Sequence, residues 1–267
     1  MVVKDWISYV GLMQQGLGKE EFNLKDNEYM SEILSYEDIL SLLGNLSSEH
    51  YIDTTKLTSN DLENILKNSM LDVTRKVRDD RVEKYMGPPS FVAIFYYYIY
   101  HFQCVPTQQE YRDFYFLINK EWIHENVNEG LLEAFEGRIA RTYPSLFRDI
   151  HFYFLLKETN AFKNVIYKLK YDLRGKVDIF VESNNNNWFG VQLRVNTSVS
   201  NYFAKNRKPY RNLIEIPGVK VIIDLPLKLF TARSIDTKKD DLKVYSNKEL
   251  LELMKIINDI ESNKIKE

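Results

Sequence analysis

The chain has 267 residues, of which 44% are hydrophobic and 28% charged, and its formal net charge is −2. That length suits one large domain or two smaller ones with cores of their own, and the composition excludes a fibrous or disordered class. A single cysteine, Cys104, excludes an intramolecular disulfide and a thiolate zinc site.

The small net charge conceals a division. Residues 1–130 hold 12 Lys/Arg against 21 Asp/Glu, a net of −9, whereas residues 131–267 hold 24 against 17, a net of +7. A basic half can serve a nucleic-acid face. The acidic half is expected to meet a protein partner or solvent. The first residues show no secretory pattern and the longest apolar run, residues 91–100, is too short for a bilayer. The expected location is therefore the cytoplasm, with no membrane association.

Up to residue 130 the pattern is helical. Trp6, Val10 and Met13 share a helical spacing. Residues 36–46 form a second stripe behind the capping candidate Ser35, and a third helix is expected from an N-cap at Ser59 or Asn60 through Leu66 and Met70. After the break at Gly87-Pro88-Pro89, residues 91–102 are apolar all round and predict a buried helix, in a core or at a seam between domains. Thr107 and Glu110 form a capping box for a helix over 108–122. That pair has helix-turn-helix proportions, which would turn Gln108, Gln109, Arg112 and Lys120 toward DNA. The alternative is an ordinary helical hairpin, since Glu110 and Asp113 oppose phosphate contact.

Near residue 130 a domain boundary is expected. Leu132, Phe135, Ile139 and Tyr143 form a stripe opposite Glu133, Arg138 and Arg141, and a second helical segment is expected over 145–156, after Pro144. Strands are expected over 164–171, 177–182 and 190–195, the last two joined through the asparagine-rich tip 183–187. A helix over 198–206, a strand over 219–225 and a closing helix over 248–264, with Leu250, Leu253, Ile257 and Ile260 on one face, complete the chain.

The segment VDIFVESNNNNWFGVQLRV, residues 177–195, places Asp178 on one strand and Gln192 and Arg194 two apart on the next, hence on one face. Polar groups on such apolar strands are costly without a purpose. This pattern resembles the PD-(D/E)XK nuclease superfamily, in which an apolar strand bearing a metal-binding Asp precedes a strand bearing acid-x-Lys. Asp178 matches the Asp, Gln192 stands where the acid usually is, and Arg194 stands where the Lys usually is. The element order αβββαβ over residues 131–230 is also that of the superfamily core. The resemblance implies an α/β (α+β) restriction-endonuclease-like core with a mixed sheet in residues 131–267, behind an all-helical accessory domain in residues 1–130.

It further implies Mg²⁺- or Mn²⁺-dependent hydrolysis of DNA, with RNA as an alternative substrate. Asp178 and Gln192 would hold the metal with an acid from the preceding helical region, Glu136 or Asp149. Gln192 brings an oxygen but no charge. Arg194 would hold the phosphate through paired N–H bonds, and it cannot act as a base. Alternatively, Asp178 is held by backbone donors or forms a structural bridge to Arg194, as in a nuclease fold that has lost catalysis and serves nucleic-acid binding or protein assembly. Glu182 is a spare acid, and Lys170 and Lys176 are alternative sites for a migrated lysine. Asn196, Thr197, Ser198 and Asn201 lead into Lys205, Arg207, Lys208 and Arg211, which cluster among Tyr202, Phe203 and Tyr210 and would contact backbone phosphates without reading sequence.

Other chemistries lack their residues. His50, His101, His124 and His151 have no zinc spacing, and no dinucleotide, phosphate-loop or serine-hydrolase motif is present. Cys104 reads as a small residue of an aromatic helix.

Overall fold

The computed structural model describes residues 34–46, 50–73, 77–175, 177–197 and 218–262. The helices expected around Trp6 and over 198–206 lie outside them, as do Lys176, Lys205, Arg207, Lys208 and Arg211. From Ser35 onward the chain forms one compact unit.

Local signals set most helix ends. Helix α1 (Tyr36–Asn45) is capped by Ser35, whose side chain accepts from Asp38 N. Helix α2 (Ser59–Asn68) starts one residue earlier than expected. Thr58 is the N-cap, because Asp61 three residues on returns the bond to its backbone and closes a capping box. Helix α3 (Phe91–Phe102) is buried on nearly every side. Helix α4 (Gln108–Ile118) carries the Thr107–Glu110 box. The helix expected to run on to residue 122 breaks at Asn119, where a short α5 (Lys120–Asn126) begins.

Helix α6 (Glu129–Glu158) is continuous for 30 residues, where two segments were expected around Pro144. Proline has no N–H to give to the carbonyl of Ala140, which ordinarily breaks a helix. Here Gln108 Nε2 donates to Ala140 O at 2.9 Å. The same amide bonds Asp72, donating from Nε2 to Asp72 O at 3.0 Å and accepting from Asp72 N at 2.8 Å. Gln108 is therefore buried bracing, not a DNA-reading residue. Arg138 and Arg141, on the other face of α6, hold the segment before α3 through the carbonyls of Val82 and Val77 and the carboxylate of Glu83.

The helical core is aromatic, and its hydroxyls are used to tie loops. Tyr111, Tyr115 and Tyr143 donate to the carbonyls of Phe91, Pro89 and Pro106 at 2.7–2.8 Å. Each removes a buried polar atom that would otherwise stand unpaired. A second tie crosses α2, α6 and strand β5 (Arg233–Asp236). Buried Glu63 takes both Arg233 Nη atoms at 2.5 Å and lies 3.3 Å from His151 Nε2.

The sheet is mixed, in the order β1-β2-β3-β4. Strands β1 (Asn164–Ile166), β2 (Ile179–Glu182) and β3 (Trp188–Val195) pair antiparallel, and β4 (Val219–Leu227) joins β3 in parallel. The short turn over 183–187 permits the β2–β3 hairpin, β1 is joined to β2 by a longer connection over 167–178, and a parallel neighbour such as β4 cannot follow β3 through a tight turn. The strand expected over 164–171 stops at Ile166. Helix α7 (Leu169–Gly175) follows, with Tyr171 N and Asp172 N turning back to Lys168 O. The alternation of Val165, Tyr167, Leu169 and Tyr171 imitates a strand, but Tyr171 turns its ring onto Phe180 of the sheet, 5.5 Å between centroids. The asparagine-rich tip is bound to the last helix, α8 (Asn247–Glu261), because Glu261 accepts from Ser183, Asn185 and Asn187. Strand β5 pairs with β6 (Asp241–Val244) in a separate ribbon. Among the described residues no helix is long and apolar enough to cross a membrane.

Candidate active site

Asp178 lies one residue before β2, where the ladder of β2 and β3 ends. Its N–H donates to Val191 O at 3.0 Å, and its Oδ2 accepts from Leu193 N at 2.5 Å. The carboxylate thus replaces a main-chain acceptor and is held in place by the partner strand. The β2–β3 register ends at Ile179↔Val191, and Asp178 meets the same Val191 through its N–H, so its carboxylate stands beside the stretch of β3 that carries Val191 and Leu193. Across the parallel pairing, Gln192 sits beside Asp224.

Helix α6 brings a second acid. Asp149 is partly exposed, yet enough protein surrounds it that burial raises its carboxyl pKa well above the usual range. Asp178 and then Asp172 raise it further, and Arg148 offsets only part of this. Asp172 of α7 and Asp178 at the start of β2 therefore both lie within electrostatic reach of Asp149 on α6. Burial raises the phenols of Tyr96 and Tyr245 as well, and both feel Asp149 and Asp178. Tyr245 Oη lies 3.2 Å from the carbonyls of Arg194 and Leu225, which fixes it behind β3 and β4.

Of the two candidate helix acids, Glu136 stands thirteen residues from Asp149 along α6. At 1.5 Å per residue that is about 20 Å. Glu136 is buried among the helices and does not join the cluster. Glu182 lies at the far end of β2, bound by Asn164 Nδ2 and within 3.4 Å of Lys163 Nζ. Lys170 is exposed on α7.

Arg194 pairs with Asp224. Its Nε lies 2.7 Å from both oxygens of Asp224, on the neighbouring strand. The guanidinium is partly exposed and Asp224 about half exposed, so the pair stands at the surface beside Gln192.

Asp172 is the acid that sequence reasoning missed. Tyr167 Oη donates to its Oδ2 at 2.7 Å, and the Tyr167 ring stacks on Tyr96 at 4.2 Å. The only signal was a Tyr five residues before an Asp, hidden by reading the stretch as strand and turn. Among the described residues no group of three or more His, Cys, Asp or Glu side chains is close enough to hold a metal ion. No family model, curated protein or solved structure matches the chain.

Proposed function

We propose that the chain is a nuclease that hydrolyses DNA phosphodiester bonds with a divalent cation, on a restriction-endonuclease-like core. One observation carries the reading: Asp149 of the preceding helix lies within electrostatic reach of Asp178, which stands at the end of a β-hairpin whose second strand binds its carboxylate through Leu193 N–H and carries Gln192 and Arg194 on either side of that residue. The mixed sheet, with three antiparallel strands and a fourth parallel to the third, agrees with it.

The residues suit Mg²⁺ or Mn²⁺. Mg²⁺ keeps several waters and uses one or two carboxylates, so Asp178 and Asp149 with the Gln192 carbonyl oxygen make a sufficient set without a third acid. Burial, and then the nearby Asp178 and Asp172, raise the Asp149 carboxyl, and a cation bound beside it would favour the ionised form. When bound, such an ion polarises the phosphate and makes a hydroxide available near neutral pH. Asp178, tied through Leu193 N–H, holds its angle while charge develops. Asp149 would hold such an ion as the carboxylate, giving its proton to solvent. Arg194 neutralises the phosphate and stays protonated throughout, exchanging part of its hold on Asp224 for the substrate.

A second reading is favoured by the Arg194–Asp224 pair itself. A guanidinium already engaged by a carboxylate suits a nuclease fold that has lost catalysis and retains nucleic-acid binding or protein assembly. Incubation of the chain with DNA in Mg²⁺ or Mn²⁺, against EDTA, separates the two. Metal-dependent cleavage that is lost in Asp149→Asn and Asp178→Ala supports the nuclease. A folded protein that binds DNA without ever cutting it supports the second reading.

A further inference from the structure

The turn between β4 and β5 carries Phe230, the most exposed large apolar side chain among the described residues, standing wholly in solvent. A single exposed apolar residue is ordinary, and what distinguishes Phe230 is its neighbours. Thr231, next in the chain, accepts from Lys248 Nζ at 2.8 Å. Lys248 and Arg233 line a pocket of about 320 Å³ together with Leu155, Ser246 and Asn247. Phe230 is thus one residue from a contact on the rim of this pocket.

Both cations are held in place. Buried Glu63 engages the two Nη atoms of Arg233 at 2.5 Å while the side chain remains half exposed. This uses two of its five donors, and no other hydrogen bond among the described residues uses the rest. Among the described residues no acid lines the pocket, and Glu249 is turned to the N–H and hydroxyl of Ser246. A preoriented guanidinium beside an ammonium suits a phosphate. An exposed aromatic ring beside them suits the face of a base. In a duplex those faces are closed by stacking, so an unpaired nucleotide alone offers both groups together.

We propose that the β4–β5 turn and the pocket at Arg233 and Lys248 bind single-stranded nucleic acid, with a base stacked on Phe230 and a phosphate between the two cations. This rests on the nucleic-acid reading given above and adds to it the place and the strandedness. The test is fluorescence anisotropy of the full chain with a labelled single strand and with its duplex, in EDTA so that nothing is cut. Phe230→Ala weakens single-strand binding roughly 10-fold, Phe230→Trp retains it, and duplex binding is the same for all three. Lys248→Gln lowers the salt slope for the single strand by about 0.7. Wild-type single-strand affinity in Phe230→Ala overturns the proposal. So does unchanged affinity with self-association lost in sedimentation, which makes the turn a protein contact. If wild type binds neither form, the nucleic-acid reading fails as well. If wild type binds and cuts and only the Phe230 and Lys248 variants are without effect, this proposal alone fails.

Discussion

Replacing Asp149 by Asn probes the acidic cluster without reference to activity. The side chain keeps its shape and loses only its ability to ionise. Burial, with Asp178 and Asp172 nearby, raises the Asp149 pKa in the folded protein. The native state therefore holds a proton that the unfolded chain has released above a pH of about 3.9. Stability must then fall as pH rises, by about 1.4 kcal/mol for each pH unit over which the folded carboxyl keeps its proton and the unfolded one does not. The decline ends at the folded pKa. The amide in Asp149→Asn cannot titrate, so the variant lacks this slope and gains on wild type as pH increases. For a chain of this size, about 1.4 kcal/mol corresponds to roughly 3–6 °C in Tm. Thermal melts of both proteins in EDTA, from pH 5 upward, measure the difference directly. A gap between the two that stays constant with pH, or that closes as pH rises, refutes the convergence of the three acids.

Gln108→Ala should cost about 1–3 kcal/mol in urea unfolding, because the carbonyls of Ala140 and Asp72 and the N–H of Asp72 lose their partner; an unchanged midpoint would show that water replaces the amide. His151 is depressed, chiefly by burial and against the pull of Glu63, so its unfolded form takes up a proton first. Stability should fall as pH drops below about 6.5, and His151→Gln should remove up to about 1.4 kcal/mol per pH unit of that fall; parallel pH profiles would contradict it. Arg194→Lys should retain metal-dependent cleavage while loosening the contact with Asp224, read as kcat and as melting temperature. Loss of stability with no cleavage in either protein would assign Arg194 to the sheet.

The parts legible from sequence were those with local causes. Capping at Ser35 and Thr107, the apolar helix over 91–102 and the β2–β3 hairpin depend on residues within a turn or a short loop. Long-range partners account for what was misread. Pro144 stays inside a helix because Gln108, 36 residues earlier, supplies the missing donor. Asp224, a partner of Arg194 that no local pattern reveals, comes from β4, 30 residues on. The helix over 169–175 was masked by an alternation that fits a strand as well as a helical turn, and Asp172 was lost with it. Asp149 and Glu136 could not be ranked until their separation along one continuous helix was set against the position of Asp178.

The most direct measurement of the central claim is cleavage of single- and double-stranded DNA by wild type and Asp178→Ala, each with Mg²⁺, with Mn²⁺ and with EDTA. The account predicts cutting by wild type with metal, none in EDTA, and none by a folded Asp178→Ala protein under any condition. Cutting that survives EDTA or the Asp178 substitution, or a folded wild type that cuts nothing with either metal, contradicts it.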